Sequence, residues 1–189
     1  MKSVLISIQP KWCELIANGK KTVEVRKTRP KLETPFKVYI YCTMGNLPKY
    51  VYNENLEKES IYAKHPDIIN GKVIGEFVCD RIFVADCDSV APFDKHTKRY
   101  IDKESCLSKE EFVKYTRMYF AYGWHISNLV IYDKPKELSE FHRDCEKYIC
   151  NGCPYLHKEN TPSNFELWCK VDGEIPITRP PQSWCYVEE

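Results

Sequence analysis

Short apolar runs that alternate with polar residues recur along the chain and predict a fold built mainly of β-strands. In such strands successive side chains point to opposite faces of the sheet. The predicted strands are Val4–Ile8, Phe36–Cys42, Gly71–Cys79, Arg81–Val84, His125–Tyr132 and Trp184–Glu188. We expect Pro135 to end the fifth of them. Short strands separated by turn residues are typical of a small barrel with about five or six strands.

Two helices are predicted beside these strands. Pro10 is placed to open the first, at a position where its missing amide proton does no harm. Trp12 belongs to the apolar stripe of this helix, which we expect to face the barrel, and Gly19 ends the helix. Ser108 followed by Glu111 is a capping-box signature, which predicts the start of a second helix. Residues 44–70 show no sustained period and predict an excursion from the barrel.

Length and composition predict one domain. The chain has 189 residues, of which 43% are hydrophobic, so it can bury one substantial core but not two large ones. We therefore expect residues 1–189 to form a single unit. The net charge of only +1 argues against a generally cationic nucleic-acid binder.

The charge is nevertheless unevenly distributed. Residues 1–50 hold ten Lys or Arg against three acidic residues, a net charge of +7, so the rest of the chain carries −6. The basic residues gather between Lys20 and Lys31. A local basic patch of this kind favours a phosphate-bearing ligand over bulk electrostatic binding.

The centre of this basic region is the segment Gly-Lys-Lys-Thr-Val-Glu-Val-Arg, from Gly19 to Arg26. In a strand with period two, Glu24 and Arg26 share one face while the two intervening valines share the other. Lys21 lies at the entry to the strand, where a turn can direct its ammonium toward them. The alternative interpretation is an ordinary surface ion pair of Glu24 and Arg26.

These residues match the G-x-K-x-x-E-x-R pattern of the ASCH domain, a relative of the PUA-like β-barrels. The flanking sequence is also similar: a short apolar strand, Gln9-Pro10, a helix before the motif, and a strand that ends Tyr41-Cys42-Thr43. The resemblance covers roughly residues 2–90 and extends to Trp184–Glu188.

The resemblance implies an α+β fold, a PUA-like mixed β-barrel with flanking helices, to which this chain would add a small Cys-rich C-terminal insertion. It also implies a cleft that binds RNA or a nucleotide-like small molecule through Lys21, Glu24 and Arg26. Protein partners are not predicted.

Two tryptophans are candidates for stacking on a base in that cleft, and His125 is a candidate ligand contact or general base. Trp124 and His125 lie in the segment Tyr122-Gly-Trp-His, and Trp184 follows Ser183. Stacking is the sequence-tolerant part of single-strand binding. The alternative for the tryptophans is a place in the core, and for His125 a structural role.

A catalytic alternative also remains open. One branch that resembles this domain removes acyl groups from N4-acetylcytidine with a Lys, a Thr and a Glu. Lys21 matches the lysine, but Glu24 stands where that branch has threonine, and a carboxylate does not replace a hydroxyl nucleophile. Glu76 is a candidate for the glutamate. An RNase in which Lys21, Glu24 and Arg26 supply charge stabilisation and general-base chemistry is a further alternative.

The segment 142–170 predicts a structural zinc site. A C-x-x-C turn is preceded by one cysteine and followed by another, at spacings near those of Cys₄ sites. The candidate ligands are Cys145, Cys150, Cys153 and Cys169, with His142 or His157 as the alternative fourth ligand. The intervening residues are polar and offer little to bury, so a metal would stabilise the segment.

The cysteine content also bears on the compartment. The chain has ten cysteines, and its N-terminal apolar run is too short for a signal peptide. No stretch approaches the length of a membrane span. We therefore expect a cytoplasmic protein whose thiols are free or bind metal.

The zinc hypothesis predicts close to one equivalent of zinc in protein purified without chelator. Cys150→Ser should lower both the zinc content and the melting temperature, because metal binding contributes to the free energy of folding. Elemental analysis and thermal unfolding measure the two effects. Absence of metal together with rapid reaction of all four thiols would contradict the hypothesis.

Overall fold

A computed structural model of the chain describes residues 2–44, 70–86, 103–117, 120–144, 156–158, 167–169 and 174–188. The strands are β1 Lys2–Ile8, β2 Val23–Arg26, β3 Phe36–Cys42, β4 Val73–Asp86, β5 Phe120–Lys136, β6 His142–Asp144, β7 Leu156–Lys158, β8 Leu167–Cys169, β9 Glu174–Pro176 and β10 Trp184–Glu188. The helices are α1 Pro10–Ala17, α2 Lys109–Thr116 and a 3₁₀ turn at Leu138–Glu140. The predicted excursion falls almost entirely outside the described residues.

Eight of these strands form one mixed sheet in the order β2-β5-β4-β3-β1-β10-β6-β9. β1 and β3 are parallel, and the other neighbouring strands are antiparallel. The α+β class is therefore confirmed. In the described part of the chain the sheet is open, with β2 and β9 at its edges, rather than closed into the predicted barrel. β7 and β8 pair separately.

Both faces of the sheet are buried near its centre. On one face Val38 and Ile40 of β3 pack in the largest apolar cluster, together with Ile16 of α1. On the other face Tyr39 and Tyr41 pack in a second cluster with Phe141, which follows the 3₁₀ turn. The side chains of β3 alternate between the two faces as predicted, but those on both faces are buried.

The long strands β4 and β5 differ from the prediction. β4 joins two predicted strands through a register shift between Cys79 and Ile82, and β5 begins five residues before its predicted start. Pro135 does not end β5. It lies in the irregular stretch between the pairs Val73–Lys136 and Gly75–Ile131, where an interrupted ladder tolerates a residue that has no amide proton.

The predicted starts of both helices and the predicted end of the first are confirmed, whereas the second helix, expected to reach Tyr119, ends at Thr116. α1 begins at Pro10, and Gly19 has a positive φ of 69° just after it. α2 begins with a complete capping box, in which the Ser108 hydroxyl and the Glu111 carboxylate each accept the other residue's amide proton. No helix among the described residues is long and apolar enough to cross a membrane.

The backbone conformation of Gly19 predicts how substitutions at this position change the free energy of unfolding. A Cβ built there meets nothing within 4 Å, so only the left-handed conformation disfavours a side chain. Gly19→Ala should therefore lower the free energy of unfolding by about 1 kcal/mol, and Gly19→Asn by less, because asparagine tolerates this conformation. Urea denaturation measures both values. Equal losses in the two variants would contradict a purely conformational role.

Candidate functional site

The motif strand β2 lies at the edge of the sheet and pairs only with β5 among the described strands. All four of its residues are buried, because both of its faces are covered by other parts of the chain. Val25 packs in a third apolar cluster with Phe112 of α2. Glu24 lies opposite Trp124, so its side chain lies on the face of the main core.

The charged residues of the motif form one buried cluster. Lys21 Nζ lies 3.4 Å from Glu24 Oε2, and Arg26 Nη2 lies 3.0 Å from Glu24 Oε1. The side chains of Lys21, Glu24 and Arg26 are 2%, 8% and 8% exposed. The surface ion pair considered as an alternative is therefore wrong. The cluster carries two cations against one carboxylate.

Both cations also bind distant parts of the backbone. Lys21 Nζ donates to the carbonyl of Ser105 at 2.6 Å, and Arg26 Nη2 donates to the carbonyl of Ser7 at 2.6 Å. Arg26 Nη1 lies 3.5 Å from the hydroxyl of Ser183. The motif therefore connects β2 to β1, to the segment before α2 and to the loop before β10.

A cleft of about 770 Å³ opens beside this cluster. Lys21, Glu24 and Arg26 line it, and the loop before β10 contributes Pro180 to Ser183. The remaining lining residues are Ser7, Ile8, Gln9, Trp12, Val25, Lys27, Thr28, Thr43, Leu107 and Tyr115. Its volume lies within the range of small-molecule sites.

Two aromatic residues of the cleft were not predicted as ligand contacts. Trp12 of α1 is half-buried, and its ring centroid lies 5.2 Å from Lys21 Nζ. Tyr115 of α2 is 37% exposed, and its ring centroid lies 5.1 Å from Lys27 Nζ. Burial raises the pKa of the Tyr115 hydroxyl, although the neighbouring Arg26 opposes this shift.

The tryptophans that the sequence suggested lie elsewhere. Trp124 is fully buried in the main core, where its ring packs against Phe36 at 5.9 Å and against Trp184 at 6.1 Å. Trp184 also packs on Tyr186, and its indole N–H donates to the Thr28 hydroxyl at 3.0 Å. Neither tryptophan lines the cleft.

His125 is also outside the cleft lining. Its Nδ1 lies 2.6 Å from Asp80 Oδ1, next to the register shift in β4. The carboxylate fixes the orientation of the ring at the surface. The geometry therefore gives His125 a local partner and no contact with the motif cluster.

Glu76 lies on the opposite face of the sheet from the motif cluster. It pairs with Tyr39, accepts a hydrogen bond from the Tyr132 hydroxyl, and lies 3.7 Å from Lys37 Nζ. Both tyrosines pack in the second apolar cluster. The structure therefore does not bring Glu76 together with Lys21.

The predicted zinc ligands fall largely outside the described residues. Cys145, Cys150 and Cys153 are outside them, and the description of Cys169 is limited to its backbone pairing with Leu156. Within the described part of the chain, no group of three or more His, Cys, Asp or Glu residues could hold a metal ion.

Comparison with known proteins identifies the family. The model of the ASCH domain matches residues 6–134, which include the whole motif, and the chain therefore belongs to the ASCH domain family. The search of curated proteins gives no match.

Solved structures show the same fold. An ASCH protein from Zymomonas mobilis is 19% identical with a TM-score of 0.55, over 99% of this chain and 88% of its own. A point mutant of the Zymomonas mobilis ASCH protein, in which a tyrosine is replaced by phenylalanine, is 17% identical with a TM-score of 0.55, over 100% of this chain and 92% of its own.

The buried cluster predicts a large effect of the motif on stability. Lys21→Ala should lower the free energy of unfolding by about 3 kcal/mol. It leaves the Ser105 carbonyl without its partner and removes one of the two cations that compensate the charge of the Glu24 carboxylate. Arg26→Lys should also destabilise the fold, since an ammonium has no second nitrogen to reach the Ser183 hydroxyl while the first binds Glu24 and the Ser7 carbonyl. Chemical denaturation measures these changes.

The matched control is Lys134→Ala, which removes an exposed lysine of β5 that does not line the cleft. This change should alter the stability by no more than about 0.5 kcal/mol. If Lys21→Ala were as mild as the control, the cluster would not hold the fold together.

Proposed function

We propose that the cleft beside the G-x-K-x-x-E-x-R motif binds RNA or a nucleotide-like small molecule. The observation that carries this proposal is the charge of the cleft. Lys21 and Arg26 are buried with a single carboxylate between them, so the cluster has an excess positive charge. A buried excess charge favours an anionic ligand, because little water is present to screen it.

The rim of the cleft adds to this charge. Lys27 lines the cleft and is exposed, and Arg29 and Lys31 follow it as exposed residues of the next loop. Lys27 thus adds a third basic side chain to the lining of the cleft. Phosphate groups that enter the cleft would meet Lys27 first and the motif cations beyond it.

Hydrolysis of an acylated nucleoside has less support from the geometry. The ammonium of Lys21 is already directed to the Ser105 carbonyl and to Glu24. Glu24 occupies the position of the nucleophilic threonine, and Glu76 lies on the far face of the sheet. An RNase would need Glu24 as a general base, but this carboxylate lies between two cations. Binding is therefore the function that the site supports best.

We also propose a structural zinc ion in a cytoplasmic protein. The paired strands β7 and β8 place the backbone of Cys169 opposite Leu156, which follows Cys153 by three residues in the sequence. This pairing supports an approach of the two parts of the Cys-rich segment. Cys145, Cys150, Cys153 and Cys169 would supply the thiolates.

The binding function is best tested at the rim, where a substitution leaves the buried cluster intact. Lys27→Ala should weaken binding of a fluorescein-labelled single-stranded RNA and reduce the salt dependence of log Kd by about 0.7, the value for one lost phosphate contact on a single strand. Fluorescence anisotropy at several salt concentrations measures both quantities.

Lys134→Ala is again the matched control, because it removes the same charge from an exposed position that does not line the cleft. It should leave the affinity and the salt dependence nearly unchanged. If the two lysine variants bound the RNA equally well, or if the unaltered protein bound neither the RNA nor a free ribonucleotide, the proposed function would be wrong.

A further inference from the structure

The cleft combines two kinds of surface. The motif residues Lys21, Glu24 and Arg26 supply charge, whereas Trp12 and Tyr115 supply aromatic rings. A site that took only an inorganic anion would need the first surface and not the second. The aromatic residues therefore indicate the chemistry of the part of the ligand that is not the anion.

Both rings come from helices that are fixed to the motif. Trp12 packs against the third apolar cluster, which includes Phe112 of α2. Lys11 of α1 binds Glu111 of α2 at 3.1 Å, and Lys21 binds the carbonyl of Ser105. These contacts hold the two helices that carry the rings, and one of them, from Lys21 to the Ser105 carbonyl, also belongs to the cluster.

Part of Tyr115 is also accessible to solvent, although burial affects its hydroxyl. It is one of five large hydrophobic side chains that are exposed among the described residues. Its neighbour in the cleft, Trp12, is only half-buried. Exposed aromatic rings beside cations are the elements with which proteins bind unpaired bases, because every base has a π-face and a phosphate nearby.

We infer, on the basis of the proposed function, that the cleft takes an unpaired nucleobase. The base packs on the rings of Tyr115 and Trp12 while its phosphate lies toward Lys27 and Arg26. The ligand class is therefore single-stranded RNA or a free nucleotide. Bases within a duplex are stacked on each other and cannot enter the cleft, so duplex RNA is excluded.

Three probes of equal length distinguish this inference from simple anion binding. They are a fluorescein-labelled single-stranded hexaribonucleotide, its blunt-ended duplex, and an abasic ribose–phosphate hexamer with the same number of phosphates. The single strand should bind at least about tenfold more tightly than the abasic hexamer, since the loss of one base–aromatic stack has this size. The duplex should bind more weakly than the single strand.

The outcomes separate the inference from the function on which it rests. Equal binding of the single strand and the abasic hexamer, with weakening by Lys27→Ala, would overturn the inference and leave anion binding in place. Binding of a free ribonucleotide but of none of the three probes would assign the cleft to the nucleotide alone, and absence of binding for all three probes and for the nucleotide would overturn both.

Variants of the rings give a second test. Tyr115→Leu should weaken binding of the single strand about tenfold without changing binding of the abasic hexamer, and Tyr115→Phe should restore most of the affinity because it keeps the ring. Trp12→Leu should act in the same direction. Melting temperatures measured alongside identify any variant that fails to fold.

Tyr132→Leu is the control, since Tyr132 lies on the opposite face of the sheet beside Glu76. It should leave the preference for the single strand intact. If Tyr115→Leu folded and bound the single strand as tightly as the unaltered protein, the inference would be overturned.

Discussion

The rest of the structure depends on the carboxylate of Glu24 and the two cations beside it. Lys21 and Arg26 are almost fully buried, and without Glu24 their charges would have no compensating partner in the motif. The same two nitrogens that bind Glu24 also donate to the carbonyls of Ser105 and Ser7. Three segments that are far apart in the sequence thus meet at one ion cluster, and the cleft is the space that their meeting leaves.

The same cluster serves stability and binding at once. A buried set with one carboxylate and two cations is stabilised internally but still carries excess positive charge, which an anionic ligand can compensate. Changes at Lys21 or Arg26 therefore affect the fold as well as any affinity, and the two effects are hard to separate. Substitutions of Lys27 and Tyr115 at the rim of the cleft can change ligand binding while the cluster stays intact.

Features set by local sequence could be predicted, and features set by distant contacts could not. The φ of Gly19 and the capping box at Ser108 need only a few neighbouring residues, and both were predicted. The burial of the motif was not, because Arg26 meets Ser183 across 157 positions of the chain. Trp12 and Trp124 both lie in apolar segments, and only tertiary packing places Trp12 in the cleft and Trp124 in the core.

The central claim is that the motif cleft is where the ligand binds, and NMR chemical-shift mapping tests it most directly. A ¹⁵N-labelled sample titrated with a single-stranded hexaribonucleotide should show its largest amide shifts at residues 21–28, at Tyr115 and at residues 182–183. Shifts confined to the opposite face of the sheet, around Glu76 and Tyr132, or to the segment 142–170, would contradict the account.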